Sequence, residues 1–328
     1  MPSGQYSKIA EMVENWLALS GGPGFTFQPN DIFMHYHNEL ITKDQRNDVM
    51  EILWHLVNKK KTLEKNGRIY KCVNTEKEIL DCVDADTTET CPINWPKSHL
   101  DMSTFGFDGR IITSPGDLIV MAGVSNAGKT AFCYNLLSEN IGGPMPVQIM
   151  INEASRAKFK RRLLKMDWVN PFDTDGKPLF TAIVRHDDWK YAIEPDAINI
   201  IDWINMGEGD FYKISGIMEC IQWKLRNGVA VIALQKSENS TLGTGGQFSE
   251  HLAAVYFALD FGHLTVRKAK EHDDGYDPNW KTFGFDIVNG VHFDHIRELE
   301  KCFTCGGSGK RGGNVCTACN GRKFIERF

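Results

Sequence analysis

What the chain has little of narrows its reading first. No apolar stretch approaches the roughly 20 residues that a membrane-spanning helix needs. The opening Met1-Pro2-Ser3-Gly4-Gln5-Tyr6 lacks the apolar core of a secretory signal. A cytoplasmic protein with no membrane partner is therefore expected. Positive charge is not in excess: 37 Lys and Arg stand against 42 Asp and Glu, a formal net charge of −5. Any nucleic-acid contact has to come from local patches. Cysteine is sparse outside one cluster, and Cys72, Cys82, Cys91, Cys133 and Cys220 lie too scattered to suggest a disulfide framework. The 328 residues are enough for two or three domains.

One stretch dominates what is present. Gly123-Val124-Ser125-Asn126-Ala127-Gly128-Lys129-Thr130 spells G-x-x-x-x-G-K-[ST], the phosphate-binding loop of nucleoside triphosphatases. Glycines let the backbone curl around an anion, and successive N–H groups then face it at a helix N-terminus. Gly123, Ser125, Asn126, Ala127, Gly128, Lys129 and Thr130 are the candidate ATP contacts. Lys129 would reach the β- and γ-phosphates, and the Thr130 hydroxyl would bind Mg²⁺. The apolar run 117–122 before the loop reads as a buried strand and 131–137 after it as a helix, which is the setting the motif needs.

Further strands end in polar residues. Pro146 to Asn152 leads to Glu153, a carboxylate placed to deprotonate an attacking water. The helix expected from Ala154 to Met166 is basic and reads as a solvated face in preference to a nucleic-acid contact. Ala197 to Asp202 reads as the Mg²⁺-organising strand, Asp202 acting on the metal through water; a simple cap of the next turn is the alternative. A helix from about Tyr212 to Arg226 precedes Val229 to Gln235, whose terminal amide is placed to sense the γ-phosphate. The Ser-, Thr- and Gly-rich segment from Lys236 to Gln247 is expected to be mobile.

In this order the motifs resemble the RecA-type ATPase core, with the DnaB-like replicative helicases as the nearer pattern over residues 95–293. The resemblance implies Glu153 as catalytic base, Asp202 at the metal, and Gln235 linking nucleotide state to DNA-binding loops after Met206 and Lys236. It also implies that Lys268 and Lys270, in Leu264 to Lys270, reach a neighbouring subunit's γ-phosphate, so that ATP sites lie between subunits of a hexameric ring or filament. The family usually has Arg where Lys270 stands, and Lys is a point charge without the bidentate fork.

The termini carry smaller modules. Helical spacing over Tyr6 to Leu19, a second helix from Pro29 or Asn30 to Leu40, a third capped by Thr42, and an Asn66-Gly67 hairpin together suggest a winged helix. Lys43, Arg46, Lys59, Lys60, Lys61, Lys65 and Arg68 lie on its third helix or wing, suited to DNA or to a partner protein. At the other end Cys302, Cys305, Cys316 and Cys319 give C-x₂-C-x₁₀-C-x₂-C, a structural Zn²⁺ set. Cys305-Gly306-Gly307-Ser308-Gly309 resembles one zinc unit of DnaJ-type chaperones, with the repeat present once instead of twice. His292 and His295 are read as ordinary histidines.

The expected architecture is an α/β RecA-like P-loop core at 95–297, its parallel sheet flanked by helices. A winged-helix-like domain at 1–75, an acidic linker at 76–94 and a zinc ribbon at 298–328 complete it. The expected activity is Mg²⁺-dependent ATP hydrolysis driving a helicase or translocase on DNA, single-stranded DNA first, alongside replication or recombination proteins. The alternatives are a recombination or loader ATPase that assembles on DNA without unwinding it, and an ATP-switched adaptor.

Overall fold

In the computed structural model, which describes residues 4–20, 24–73, 86, 88–152, 155–204, 211–238 and 240–326, the strongest apolar runs pair side by side. The chain divides into two units, Met1–Ala85 and Asp86–Phe328.

In the first unit, α1 (Gly4–Ser20), α2 (Pro29–His35) and α3 (Lys43–His55) pack with a sheet of β1 (Thr26–Phe27), β2 (Leu63–Asn66) and β3 (Ile69–Cys72), in the order β1-β3-β2. Apolar residues at helical spacing, Ile9, Val13 and Trp16 on α1 and Val49, Ile52 and Leu53 on α3, form its core with Phe27, Leu63 and Tyr70. Thr42 caps α3 as expected: its hydroxyl accepts from Gln45 N, and the Gln45 side chain reaches back. Two details differ from expectation. Helix α2 stops at His35, short of Leu40. The hairpin pairs Asn66 with Ile69, so the two turn residues are Gly67 and Arg68; Gly67 takes the positive φ of 59°, as the first central residue of a type II′ turn requires.

In the second unit the strands are β4 (Leu118–Gly123), β5 (Val147–Ile151), β6 (Thr181–Val184), β7 (Ile198–Ile204), β8 (Val229–Gln235), β9 (Val255–Asp260), β10 (His263–Ala269), β11 (Thr282–Val288), β12 (His292–Lys301), the short β13 (Lys310–Arg311) and β14 (Asn314–Val315), and β15 (Phe324–Glu326). The helices are α4 (Lys129–Asn140), α5 (Arg156–Leu163), α6 (Ile214–Gln222) and α7 (Gln247–Leu252). Ten described strands form one sheet in the order β15-β12-β11-β10-β9-β4-β8-β7-β5-β6. The six from β9 to β6 are parallel; β10, β11, β12 and β15 extend them antiparallel, so the sheet is mixed where a parallel one was expected. This is a RecA-like P-loop core, with β8 inserted between the phosphate-loop strand and the Asp202 strand.

The central strands are buried on both faces, which is why they read as unbroken apolar runs. One face of β4 and β8 (Ile119, Met121, Val231, Ala233) packs under α4; the other (Val120, Ala122, Ile232, Leu234) packs against Ile214, Met218 and Ile221 of α6. Residues 91–113, almost without regular structure, are held onto the first face by Trp95, Phe105 and Phe107, all buried. Phe107 stacks on Phe257 at 5.2 Å between ring centroids and Phe105 meets Phe293 edge-on at 5.5 Å. Each such ring contributes about 1.5–3 kcal/mol by leaving water. The seams are polar: Asn94 N donates to Asn140 Oδ1 at 2.9 Å, and the Asn135 amide of α4 donates to Val291 O at 2.6 Å. Among the described residues no helix is long and apolar enough to cross a membrane.

Candidate functional site

The carboxyl ends of β4, β5, β7 and β8 lie together, because their parallel registers align Gly123 with Gln235 and Ile151 with Asp202. Loops leaving that edge of an open α/β sheet converge on one crevice. The 124–128 loop leaves β4 there and turns directly into α4, whose first residue is Lys129. Its glycines answer definite demands. Gly128 holds φ at +108°, and a Cβ on Gly123 would come within 2.7 Å of Lys129 Cγ and 3.2 Å of Leu259 Cβ. Asn126 also takes a positive φ, 61°. Such a turn aims consecutive N–H groups at one point.

Lys129 is buried and folded over its own loop. Its ammonium donates to Gly123 O, Val124 O and Gln235 Oε1, each at 2.9 Å. Burial is the main influence on this group and pulls its pKa below the usual lysine value; Asp202 and Cys133 push the other way. The Thr130 hydroxyl donates to Asp202 Oδ1 at 3.3 Å, and Asp202 is itself buried. A hydroxyl and a carboxylate so placed, beside a pocket for phosphates, are the oxygen donors that Mg²⁺ uses alongside a nucleotide. The structure thus brings together Gly123, Ser125, Asn126, Ala127, Gly128, Lys129, Thr130, Asp202 and Gln235. Glu153 and the loop after Met206 lie outside the described residues.

The cleft over the loop has a volume of about 440 Å³. Four residues along it were not anticipated: Lys158, Arg162, Trp203 and Ile287. Lys158 and Arg162 are one helical turn apart on α5, hence on one face. They lie along a recess that also holds Thr130, Asp202 and Trp203. The basic helix is therefore not merely a solvated face. Ser155 caps it, accepting from Lys158 N at 3.4 Å, so α5 is Arg156–Leu163, shorter than the expected 154–166. The recess floor is closed by Asn152, whose amide donates to Trp203 O at 2.9 Å; the Asp202–Trp203 peptide is cis.

The segment after Gln235 is tied to its surroundings at several described residues. Lys236 is buried; its ammonium lies 2.5 Å from Asp260 Oδ1 and 2.9 Å from Ser240 O. Thr244 N donates to Gln235 O at 2.8 Å, Lys236 bridges Gly243, and Gly243 N donates to the buried Tyr256 hydroxyl at 2.8 Å. Lys268 and Lys270 stand apart from the crevice. Residues 268 and 269 pair with Tyr256 and Val255 at the start of β9, whereas Gly123 pairs with Leu259 near its end. At about 3.3 Å per residue, that is about 10 Å along the strand for residue 268 and about 13 Å for residue 269. Lys268 donates to Glu250 O and His251 O at the end of α7, and Lys270 is exposed.

At the C-terminus the four cysteines meet as their spacing predicted. All four Sγ atoms lie within 4.8 Å of one another, with Cys302 to Cys316 at 3.8 Å and Cys305 to Cys319 at 3.7 Å. A tetrahedron with Zn–S of about 2.3 Å has edges of about 3.8 Å, whereas a disulfide would need about 2.05 Å. The set could hold Zn²⁺, and the second-sphere donor Gly309 N points at Cys305 Sγ from 3.3 Å. The cluster does not hang free, since β15 pairs with the end of β12 from Leu299 to Lys301. His292 packs edge-on to Trp168 and His295 faces Asp286 and Asp294, both outside the cluster.

No protein-family model matches the sequence, and no curated protein matches it. Among solved structures, the chain is similar to the KaiC-like protein PH0186 from the hyperthermophilic archaea Pyrococcus horikoshii OT3. That match has 17% identity and a TM-score of 0.45, and covers 62% of this chain and 100% of that one. The RadB recombinase is similar at 15% identity and a TM-score of 0.40, over 56% of this chain and 92% of that one. Likenesses this distant add nothing to the strand order and site geometry already described.

Proposed function

We propose that the chain is an ATP-hydrolysing motor on DNA, a helicase or translocase that works as an oligomer with ATP sites between subunits. The observation that carries this reading is the contact of Lys129 with Gln235 at 2.9 Å. An incoming γ-phosphate competes with the Gln235 amide for the Lys129 ammonium. Gln235 then changes partner, and the folded segment attached to it, held by Lys236 and Thr244, registers the change. Thr130 and Asp202 hold Mg²⁺, and Glu153 serves as the base that activates water. Lys270, remote from its own phosphate loop and exposed, completes a neighbour's site. Zn²⁺ holds the Cys₄ cluster as a structural ion.

The first unit supports a winged-helix reading, with α3 as the recognition element and the β2–β3 hairpin as the wing. Lys43, Lys59, Lys61 and Arg68 are exposed for phosphate contact. Lys60 is paired with Glu14 at 2.7 Å, and Arg46 is turned onto Phe33 and Leu40 O.

Steady-state ATP hydrolysis, measured with and without single-stranded DNA, tests the reading. Turnover should rise severalfold with DNA in the native protein, vanish in Lys129→Ala, and lose its DNA response but not its basal rate in Gln235→Ala. Turnover indifferent to DNA would remove the motor and leave the ATP-switched adaptor. Stimulation without strand displacement would favour an ATPase that assembles on DNA.

A further inference from the structure

The zinc cluster lies beside the first half of the segment following Gln235, and the two together flank a groove to which nothing above assigns a role. The groove has a volume of about 540 Å³, within the size range of ligand clefts. One wall is Glu238, Ser240 and Thr241; the other is Arg322, Lys323 and Phe324 of the zinc segment. A second cleft of about 570 Å³ continues it, sharing Phe261, His263, Arg322 and Phe324. Docking is direct: the His263 and Phe324 rings lie 5.1 Å apart, and β15 is hydrogen-bonded to β12.

The chemistry of the lining is that of a polyanion bearing flat rings. Arg322 and Lys323 are exposed and adjacent. Phe261, on the β9–β10 turn, and Trp280 are each 61% exposed, a cost for aromatic rings unless something stacks on them. Trp280 already carries the Arg267 guanidinium at 4.7 Å from its centroid. The acids nearby are largely answered: Asp260 by Lys236, and Glu326 by Arg297 at 2.7 Å; Glu238 and Asp286 remain at the rims. Cations beside exposed aromatic faces along a groove are the means by which single-stranded nucleic acid is held without sequence preference.

We propose that this groove, between the zinc cluster and the segment after Gln235, binds single-stranded nucleic acid, with Arg322 and Lys323 on phosphates and Phe261 and Trp280 under bases. The proposal rests on the motor reading and gives it a binding surface. It also supplies a route to the ATP site, because Arg267 donates to Thr241 Oγ1 at 3.1 Å and Lys236 to Ser240 O at 2.9 Å, both within the segment that Gln235 begins.

The test is fluorescence anisotropy of a labelled oligothymidine across a salt series, on the full chain, with zinc content checked. The double substitution Arg322→Gln with Lys323→Gln should weaken binding at least tenfold and flatten the log–log salt dependence by roughly 1.4, about 0.7 for each phosphate left without its cation. Phe261→Ser should weaken binding with the salt slope unchanged. Both should keep the DNA-free ATPase rate and lose most of its stimulation. Native protein that binds and is stimulated, with both variants within twofold of it, overturns the groove alone. Native protein that neither binds nor responds overturns the groove together with the motor reading. Labelled polyglutamate bound more tightly than oligothymidine, and lost in the Arg322→Gln with Lys323→Gln variant, would make the groove a site for acidic peptides, against the proposal.

Discussion

Lys268 and Lys270 look equivalent in sequence, two cations at alternate positions of a strand. The structure separates them. Lys268 is half-buried, its ammonium spent on the last carbonyls of α7, and burial lowers its pKa first, with Lys270 adding to the effect. Lys270 is exposed. Lys268→Ala should therefore cost about 1 kcal/mol of stability by uncapping α7, read as a lower urea midpoint, with ATPase affected only in proportion. Lys270→Ala should leave the midpoint and nucleotide affinity unchanged and take away most of kcat. Equal loss of stability in both would contradict the division. Legibility varies in the same way from residue to residue. Lys129 and Thr130 could be read because their roles depend on spacing within eight residues. Arg162 and Ile287 could not, because what brings them to the cleft is a helix face and a hairpin distant in sequence. The only local hint was Ser155, a capping residue that begins α5 beside the β5 end.

At the scale of elements, the buried parallel strands were legible since a strand covered on both faces must be apolar throughout. The antiparallel extension was not: β10 alternates in burial, β11 and β12 do not keep a regular alternation, and nothing in their patterns says which neighbour each will take. The contacts of the segment after Gln235 were not legible: Ser, Thr and Gly mark loops, whereas the burial of Lys236 against Asp260 and the bond from Gly243 N to the Tyr256 hydroxyl depend on β9, distant in sequence. The four-cysteine segment is similar. Its cysteines were plain, its attachment through β15 was not. That attachment makes a prediction. Purified protein should hold about one zinc per chain, and Cys316→Ser or a strong chelator should remove it. Without the ion four close thiols lose their organising charge, so the β15 amides Phe324, Ile325 and Glu326 should exchange with deuterium much faster while those of β4 and β8 stay protected. Unchanged β15 protection after metal loss would mean that the strand is held by its own pairing with β12.

At the scale of the whole molecule, the proposed site asks for one cation more than a single copy brings to its own phosphate loop. Lys129, Thr130, Asp202 and Gln235 converge there, whereas Lys270 stands at the opposite end of β9 and β10, away from the loop of its own chain. A head-to-tail assembly puts the Lys270 edge of one subunit against the crevice of the next, and such an interface closes into a ring or continues as a filament. On the proposed reading, each site needs an intact Lys129 from one copy and an intact Lys270 from its neighbour. Lys129→Ala and Lys270→Ala should each be nearly inactive alone. Dissociated, mixed in equal amounts and reassembled, they should regain roughly a quarter of the native rate, since that fraction of random interfaces pairs a good loop with a good lysine. Activity that stays at the level of the separate variants, in mixtures whose exchange is verified by subunit labelling, would place the whole site within one chain and reduce Lys270 to a surface charge. Recovery would instead show that the missing cation comes from a second copy, because neither variant carries both groups on one chain.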